Sequence, residues 1–391
     1  MPDFLTEANA LFEYTQSLRR DFHAHPELGF HEIRTAGIVA KELTNLGLEV
    51  HTGFGRTGVV AVLEGSKSGP VVLVRADMDA LPIVEETGAP YTSLNPGVMH
   101  ACGHDGHTAI LLTVARMLND HRENLAGSVK LMFQPAEEGM GGAEEMIAAG
   151  VLEDPKVDLA LALHVWNEKP VGWIGIANGP AMAGAEIFNI KILGKGGHGA
   201  APHLAVDPVL ASAQIITALQ GIVARNVAPL QPAVVSICTI HAGETFNVIP
   251  PMVEMTGTIR TFQPAVRRLV LDRFEKTIQS VAQAMGCQVE IDVKRLTPAT
   301  INRSKVAAQV QSVARTLLPD AEVDSANYVT MGSEDFAFIL EKVPGCFFFI
   351  GSANPEKGLD AGHHHPKFDI DETALPEGAA LMTASIMDIL K

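Results

Sequence analysis

The stretch Val129-Lys130-Leu131-Met132-Phe133-Gln134-Pro135-Ala136-Glu137-Glu138-Gly139 sets the frame for reading the chain. Val129–Phe133 is a short, β-rich apolar run, the pattern of a buried strand. Just past its end stand two adjacent carboxylates, Glu137 and Glu138, between Pro135 and Gly139. Adjacent glutamates usually lie on a solvated helix face, but a pair set between Pro and Gly after a strand does not. A strand that delivers chemistry beyond its carboxyl end is the habit of open α/β sheets.

The neighbouring segments extend this pattern. Thr6–Phe22, Glu32–Leu46, Thr108–Leu118 and Gly142–Ala149 read as helices, and Gly58–Leu63, Val71–Val74 and Leu159–Leu163 as strands. Strands alternating with helices predict an α/β sheet, largely parallel. Near Gly184 the character changes. Glu186–Leu193, Val234–His241, Met252–Thr261 and Cys287–Val293 read as strands, with helices over Asp207–Ala224 and Ala265–Met285. That order predicts a small α+β sandwich over residues 184–296, inserted into a catalytic domain of residues 1–183 and 297–391. Ser304–Leu318 reads as a helix, Cys346–Ile350 as a strand that rejoins the first sheet, and Asn354–Asp371 as a polar loop.

Composition narrows the function classes. With 391 residues the chain exceeds one ordinary core, and 47 % hydrophobic against 19 % charged residues argues for folded domains. A formal net charge of −16 repels phosphate backbones and anionic membranes, so neither is an expected partner. No basic leader or apolar signal region is evident at Met1–Glu7, and no run approaches the ~20 apolar residues of a membrane span. Four scattered cysteines do not form a disulfide framework. These features predict a cytoplasmic protein.

Further chemistry-bearing residues follow the other strands. Asp77 and Asp79 follow Val71–Val74, His164 ends Leu159–Leu163, and His363-His364-His365 lie beyond Cys346–Ile350. A separate loop, Met99-His100-Ala101-Cys102-Gly103-His104-Asp105-Gly106-His107-Thr108, places a thiol among imidazoles. Thiolate, imidazole and carboxylate together are the ligand set of zinc and its first-row neighbours. A second carboxylate beside a ligating one suits metal-assisted hydrolysis, which needs a base to deprotonate the attacking water. Each member alone has an ordinary reading; Cys102 could be a core cysteine and His164 a satisfied core histidine. Their combination points to a metal-dependent hydrolase.

These motifs, with Arg19-Arg20-Asp21-Phe22-His23-Ala24-His25-Pro26-Glu27-Leu28, Gly196-Gly197-His198-Gly199 and Phe246-Asn247-Val248-Ile249-Pro250, resemble a known family. It is the co-catalytic metallopeptidase family of aminoacylases and carboxypeptidases, in the branch of hippurate hydrolases, N-acyl-amino-acid amidohydrolases and auxin-conjugate hydrolases. The resemblance implies a site for two divalent ions. Cys102 matches the bridging ligand, and His104, Glu138, His164 and His364 the others. Glu137 matches the general base and Asp79 an aspartate that orients the site. His198 matches a histidine that reaches into the partner subunit's site, and Asn247 and Arg260 match substrate-contacting positions. Asp77-Met78-Asp79 and Cys102 depart from the carboxypeptidase branch, which has His-x-Asp and a bridging aspartate.

The implied reaction is hydrolysis of the amide of a small N-acyl amino acid by a homodimer or higher homo-oligomer, with the inserted domain as lid and dimerisation module. Zinc is the first expectation; manganese, cobalt or nickel would serve. The rivals are a dipeptidase or carboxypeptidase and a non-catalytic binding protein, against which an intact Glu137 argues.

Overall fold

Val71, Val72, Leu73 and Val74 show no polar alternation, the mark of a strand buried on both faces. The Lys67–Asp77 strand they belong to lies mid-sheet in a computed structural model that describes residues 2–326 and 328–391. The chain divides into two units: Met1–Ala181, Ile301–Val329 and Asp335–Lys391 form the first, Met182–Thr300 and Thr330–Glu334 the second.

The first unit is built on an eight-stranded sheet. In spatial order its strands are Glu49–Phe54, Gly58–Glu64, Ala126–Gln134, Lys67–Asp77, Leu159–Pro170, Gly345–Ala353, Trp173–Gly175 and Glu322–Asp324. The central strands are parallel, with Asp77 level with Gln134 and His164 level with Phe349. The Gly58–Glu64 strand runs antiparallel at one side. The carboxyl ends of the parallel strands therefore lie on one edge, as expected of a mostly parallel α/β sheet. Helices Phe12–Ala24, His104–Asp120 and Ala374–Ile389 pack against one another and the sheet.

Some elements depart from the sequence reading. The Thr6–Phe22 pattern is two helices, Phe4–Ala10 and Phe12–Ala24, separated at Leu11. Ala374–Ile389 forms a helix that the sequence reading did not assign; its residues Ala374–Met387 are nearly all buried, so it has no polar face to give it a period.

The second unit is a four-stranded antiparallel sheet in the order Ala233–His241, Met252–Thr261, Gly184–Leu193, Gln288–Thr297. Phe188, Ile190 and Ile192 alternate inward and meet helices Pro208–Asn226 and Pro264–Ala284. Asp207 starts the first of these helices, its Oδ1 accepting from Val209 N at 2.8 Å and Leu210 N at 3.2 Å. Pro208–Asn226 is long and apolar enough to cross a membrane by length and composition alone. Its Ala211, Ile215, Leu219 and Ile222 line this unit's core.

Candidate metal centre

Asp77 closes its strand, and its carboxylate is fully buried. Oδ2 accepts from Arg75 Nη1 at 2.6 Å and Oδ1 meets His107 Nδ1 at 2.6 Å. Two residues on, Asp79 joins two other segments. Its Oδ1 lies 3.2 Å from His104 Nδ1, and its Oδ2 accepts from Glu138 N at 3.0 Å. The backbone oxygen of Asp79 also meets His104 Nδ1, at 2.9 Å.

The turn before the His104–Asp120 helix requires glycine. Gly103 has φ +91°, and a Cβ there would stand 2.4 Å from Val165 Cγ2. This tight turn sets Cys102 and His104 on either side of Gly103. The candidate ligand His364 also sits in the left-handed region, at φ +64°. Its N–H donates to Ala101 O at 2.7 Å, which ties its loop to the Cys102 turn.

These segments converge. Cys102, His104 and His164 form one group, and Cys102, Glu138 and His364 another, with potential ligand atoms within 4.8 Å of one another in each. Cys102 is common to both. Cys102 Sγ lies 3.6 Å from His164 Nε2, and His364 Nε2 lies 3.2 Å from Glu138 Oε1. A third group at the same limit joins His104, Glu137 and Glu138.

The donor set fits a divalent cation. Nδ1 of His104 is engaged by Asp79, while its buried Nε2 has no hydrogen-bond partner among the described residues. His164 Nδ1 is likewise tied, to Val165 O at 2.6 Å, which leaves Nε2 facing the thiol. Histidines that hold metals are oriented in this way, through the nitrogen that does not bind. The charges agree. Burial, then Glu138, Glu137 and Asp77, holds the Cys102 thiol well above its ordinary pKa. Burial works against protonation of His104, but Asp77 and Asp79 outweigh it and raise its pKa to about 10. Such a concentration of negative charge calls for cations.

Several neighbours received no role from the sequence. His107, three residues after His104 on the same helix, accepts from Val165 N at Nε2, 2.9 Å. That fixes its Nδ1 proton on Asp77 and sets its ring 4.4 Å from that of His164. The i, i+3 spacing from His104 was the available signal. His363 packs on Trp166, ring centres 4.7 Å apart, and its pKa is lowered to about 3, chiefly by burial. Arg19, fully buried, binds Asp105, Asp369 and Glu372.

The remaining candidates belong to the second unit. His198 pairs with Val248 across a two-residue ladder, and Gly199 N donates to Asn247 O at 2.7 Å, so His198 and Asn247 are exposed neighbours. Ala200 N donates to His198 Nδ1 at 3.0 Å, which leaves Nε2 as the N–H donor. Arg260 is half-buried, pairs with Ala185, and donates to Ser333 Oγ at 2.8 Å. The ladder sets Met252 opposite Leu193 and Arg260 opposite Ala185. Arg260 thus lies about 25 Å of strand from the sheet end near His198 and Asn247.

Residues 73–388 match the family described as peptidase family M20/M25/M40. The chain is 41 % identical over 366 residues to thermostable carboxypeptidase 1 of Saccharolobus solfataricus, covering 93 % of this chain and 92 % of that one. It is 40 % identical over 361 residues to N-acetylcysteine deacetylase of Bacillus subtilis, covering 92 % of each. Among solved structures, a Bacillus subtilis dinuclear metal binding peptidase of the M20 family aligns with TM-score 0.85 and 36 % identity, over 98 % of this chain and 99 % of that one.

Proposed function

This chain belongs to peptidase family M20/M25/M40 and is a hydrolase; on that premise we propose that it cleaves the amide bond of N-acyl amino acids, releasing a carboxylic acid and a free amino acid. One observation carries the reading. Glu137 groups with His104 and Glu138 but with neither Cys102 group, so a carboxylate stands next to the proposed ligands without sharing the Cys102 thiol. A binding module has no use for that carboxylate; a hydrolase needs a base there.

We propose that Cys102, His104 and His164, and Cys102, Glu138 and His364, would hold two divalent ions, with Cys102 common to both groups. When bound, such ions supply Lewis acidity toward a carbonyl and ease the deprotonation of water. Thiolate and imidazole favour zinc; manganese, cobalt or nickel are compatible. Glu137 takes the proton of the attacking water and returns it to the leaving amine nitrogen. Asp79 holds His104 and the Glu138 backbone in place. His198 Nε2–H and Asn247 donate to the substrate carbonyl as its charge develops. Arg260 pairs with the free carboxylate of the amino acid.

We further propose that the second unit serves as lid and dimerisation module. His198 and Asn247 lie at the opposite end of the sheet from Arg260. One copy's second unit does not present all three to a small substrate, which supports a homodimer. Ala233–His241 is an edge strand with Ile240 48 % exposed, and nearby Phe246 is 99 % exposed, a surface suited to a second copy.

The resemblance to a carboxypeptidase keeps peptide cleavage as the second reading. A panel of N-acetyl and N-benzoyl amino acids and free-amine dipeptides, assayed with Zn, Mn, Co and Ni, separates the two. Preference for the N-acyl compounds is expected; preference for free-amine dipeptides overturns the assignment.

A further inference from the structure

The turn that carries Glu137 contains a strained residue. Ala136 has φ +53°, a region costly to any residue with a Cβ. Two buried carboxylates grip the backbone on either side of Glu137. Asp79 Oδ2 accepts from Glu138 N at 3.0 Å, and Glu32 Oε1 accepts from Ala136 N at 2.9 Å. Glu32 has no exposed surface, and its other oxygen accepts the Thr57 hydroxyl. Thr57 directly precedes the Gly58–Glu64 strand, which pairs with the strand leading into the Glu137 turn, so this anchor is part of the same sheet.

The position of Glu32 makes the contact informative. It occupies the residue before helix Ile33–Asn45, where a side chain would ordinarily cap the helix, and it makes no such bond. Glu27 does that work instead, accepting from Arg34 N at 3.0 Å and Thr35 N at 2.8 Å. The buried Glu32 carboxylate is directed to the strained turn.

We propose that Glu32 is a positioning residue for the hydrolysis: by holding the Ala136 N–H it keeps the turn in its left-handed conformation and so aims the Glu137 carboxylate. This rests on the assignment of Glu137 as base. Glu32 touches neither substrate nor the candidate ligand side chains in this account; its effect passes through one backbone bond.

The test measures kcat and KM for an N-acetyl amino acid, metal content and urea unfolding in four variants. Glu137→Gln checks the underlying reading; if it turns over at the wild-type rate, the base assignment fails independently of Glu32. With that variant inactive, Glu32→Ala should lose about 10- to 100-fold in kcat, the scale of a small misplacement of a reacting group. KM should change less than about 3-fold, with metal retained. Glu32→Gln keeps an acceptor for Ala136 N and should stay within about 3-fold of wild type. The double variant Glu32→Ala/Ala136→Gly should recover most of the lost kcat, because glycine adopts this φ without strain. Wild-type kcat in Glu32→Ala, or a Glu32→Gln as poor as Glu32→Ala, overturns the proposal, as does a double variant no better than Glu32→Ala. If Glu32→Ala does not fold, Thr57→Val decides: it frees the carboxylate while keeping the side-chain shape. A several-fold fall in kcat at unchanged KM supports the role, and an unchanged kcat rejects it.

Discussion

The two units make ion pairs of nearly equal length and unequal consequence. In the first, Arg19 Nε meets Asp105 Oδ2 at 2.8 Å with both side chains at 0 % exposure. In the second, Lys276 Nζ meets Asp272 Oδ1 at 2.6 Å with the side chains 65 % and 49 % exposed. Distance alone would rank them alike. Solvent separates them, because water screens the second pair and competes for both its partners. The same contrast runs through the candidate residues. His104, His164 and Asp79 are buried and held by neighbours, whereas His198 and Asn247 lie open on the second unit. The first unit supplies a preorganised cluster; in the function proposed above, the second supplies groups that await a substrate or a second copy.

The largest expected effect breaks the first side of that contrast at its centre. Cys102→Ser and Glu138→Ala should each lose metal and activity together, by more than the 10–100-fold that an outer-shell partner costs. Cys238→Ser, Cys287→Ser and Cys346→Ser, assayed for metal content and turnover alongside, should retain both. EDTA should abolish activity and added zinc, manganese or cobalt restore it. Undiminished turnover in the fully chelated enzyme would remove the metal from the account.

Next in size is Arg19→Met. It strips the guanidinium from buried Asp105 and Asp369, while Glu372, which Arg19 also meets, keeps its pair with Arg20. A loss of about 3–5 kcal/mol is expected in urea unfolding, because uncompensated charge stays buried. The open residues of the second unit are tested by mixing. Inactive Glu137→Ala and His198→Ala chains, allowed to exchange, should recover about a quarter of wild-type activity if the site is shared across a two-fold dimer. No recovery with verified exchange would confine His198 to its own copy or to no role. The smallest effect is Lys276→Ala, expected below about 0.5 kcal/mol in the same unfolding assay. A cost as large as that of Arg19→Met would erase the distinction drawn here.

How much of this was legible in sequence also divides by physics. The strands Val129–Phe133 and Leu159–Leu163 were plain, because buried parallel strands read as unbroken apolar runs. The edge strands Glu49–Phe54 and Glu322–Asp324 were not, being short or largely exposed. Ala374–Ile389 escaped because a helix buried all round has no amphipathic period. The residues brought together in the cluster, and Asp79 that holds two of them, were named from chemistry and family resemblance, while most of their other supporters were not. Glu32, His107 and Arg19 act through contacts 104, 58 and 86 residues away, at Ala136, Val165 and Asp105, and no local pattern encodes such pairings.

The proposed hydrolysis turns on the division of labour between two adjacent carboxylates. Turnover and metal content measured together on Glu137→Gln test it most directly. The expected result is near-normal metal content with turnover lower by about 10²–10⁴, the usual range for a lost general base. Wild-type turnover in Glu137→Gln, or loss of its metal together with its activity, would contradict it.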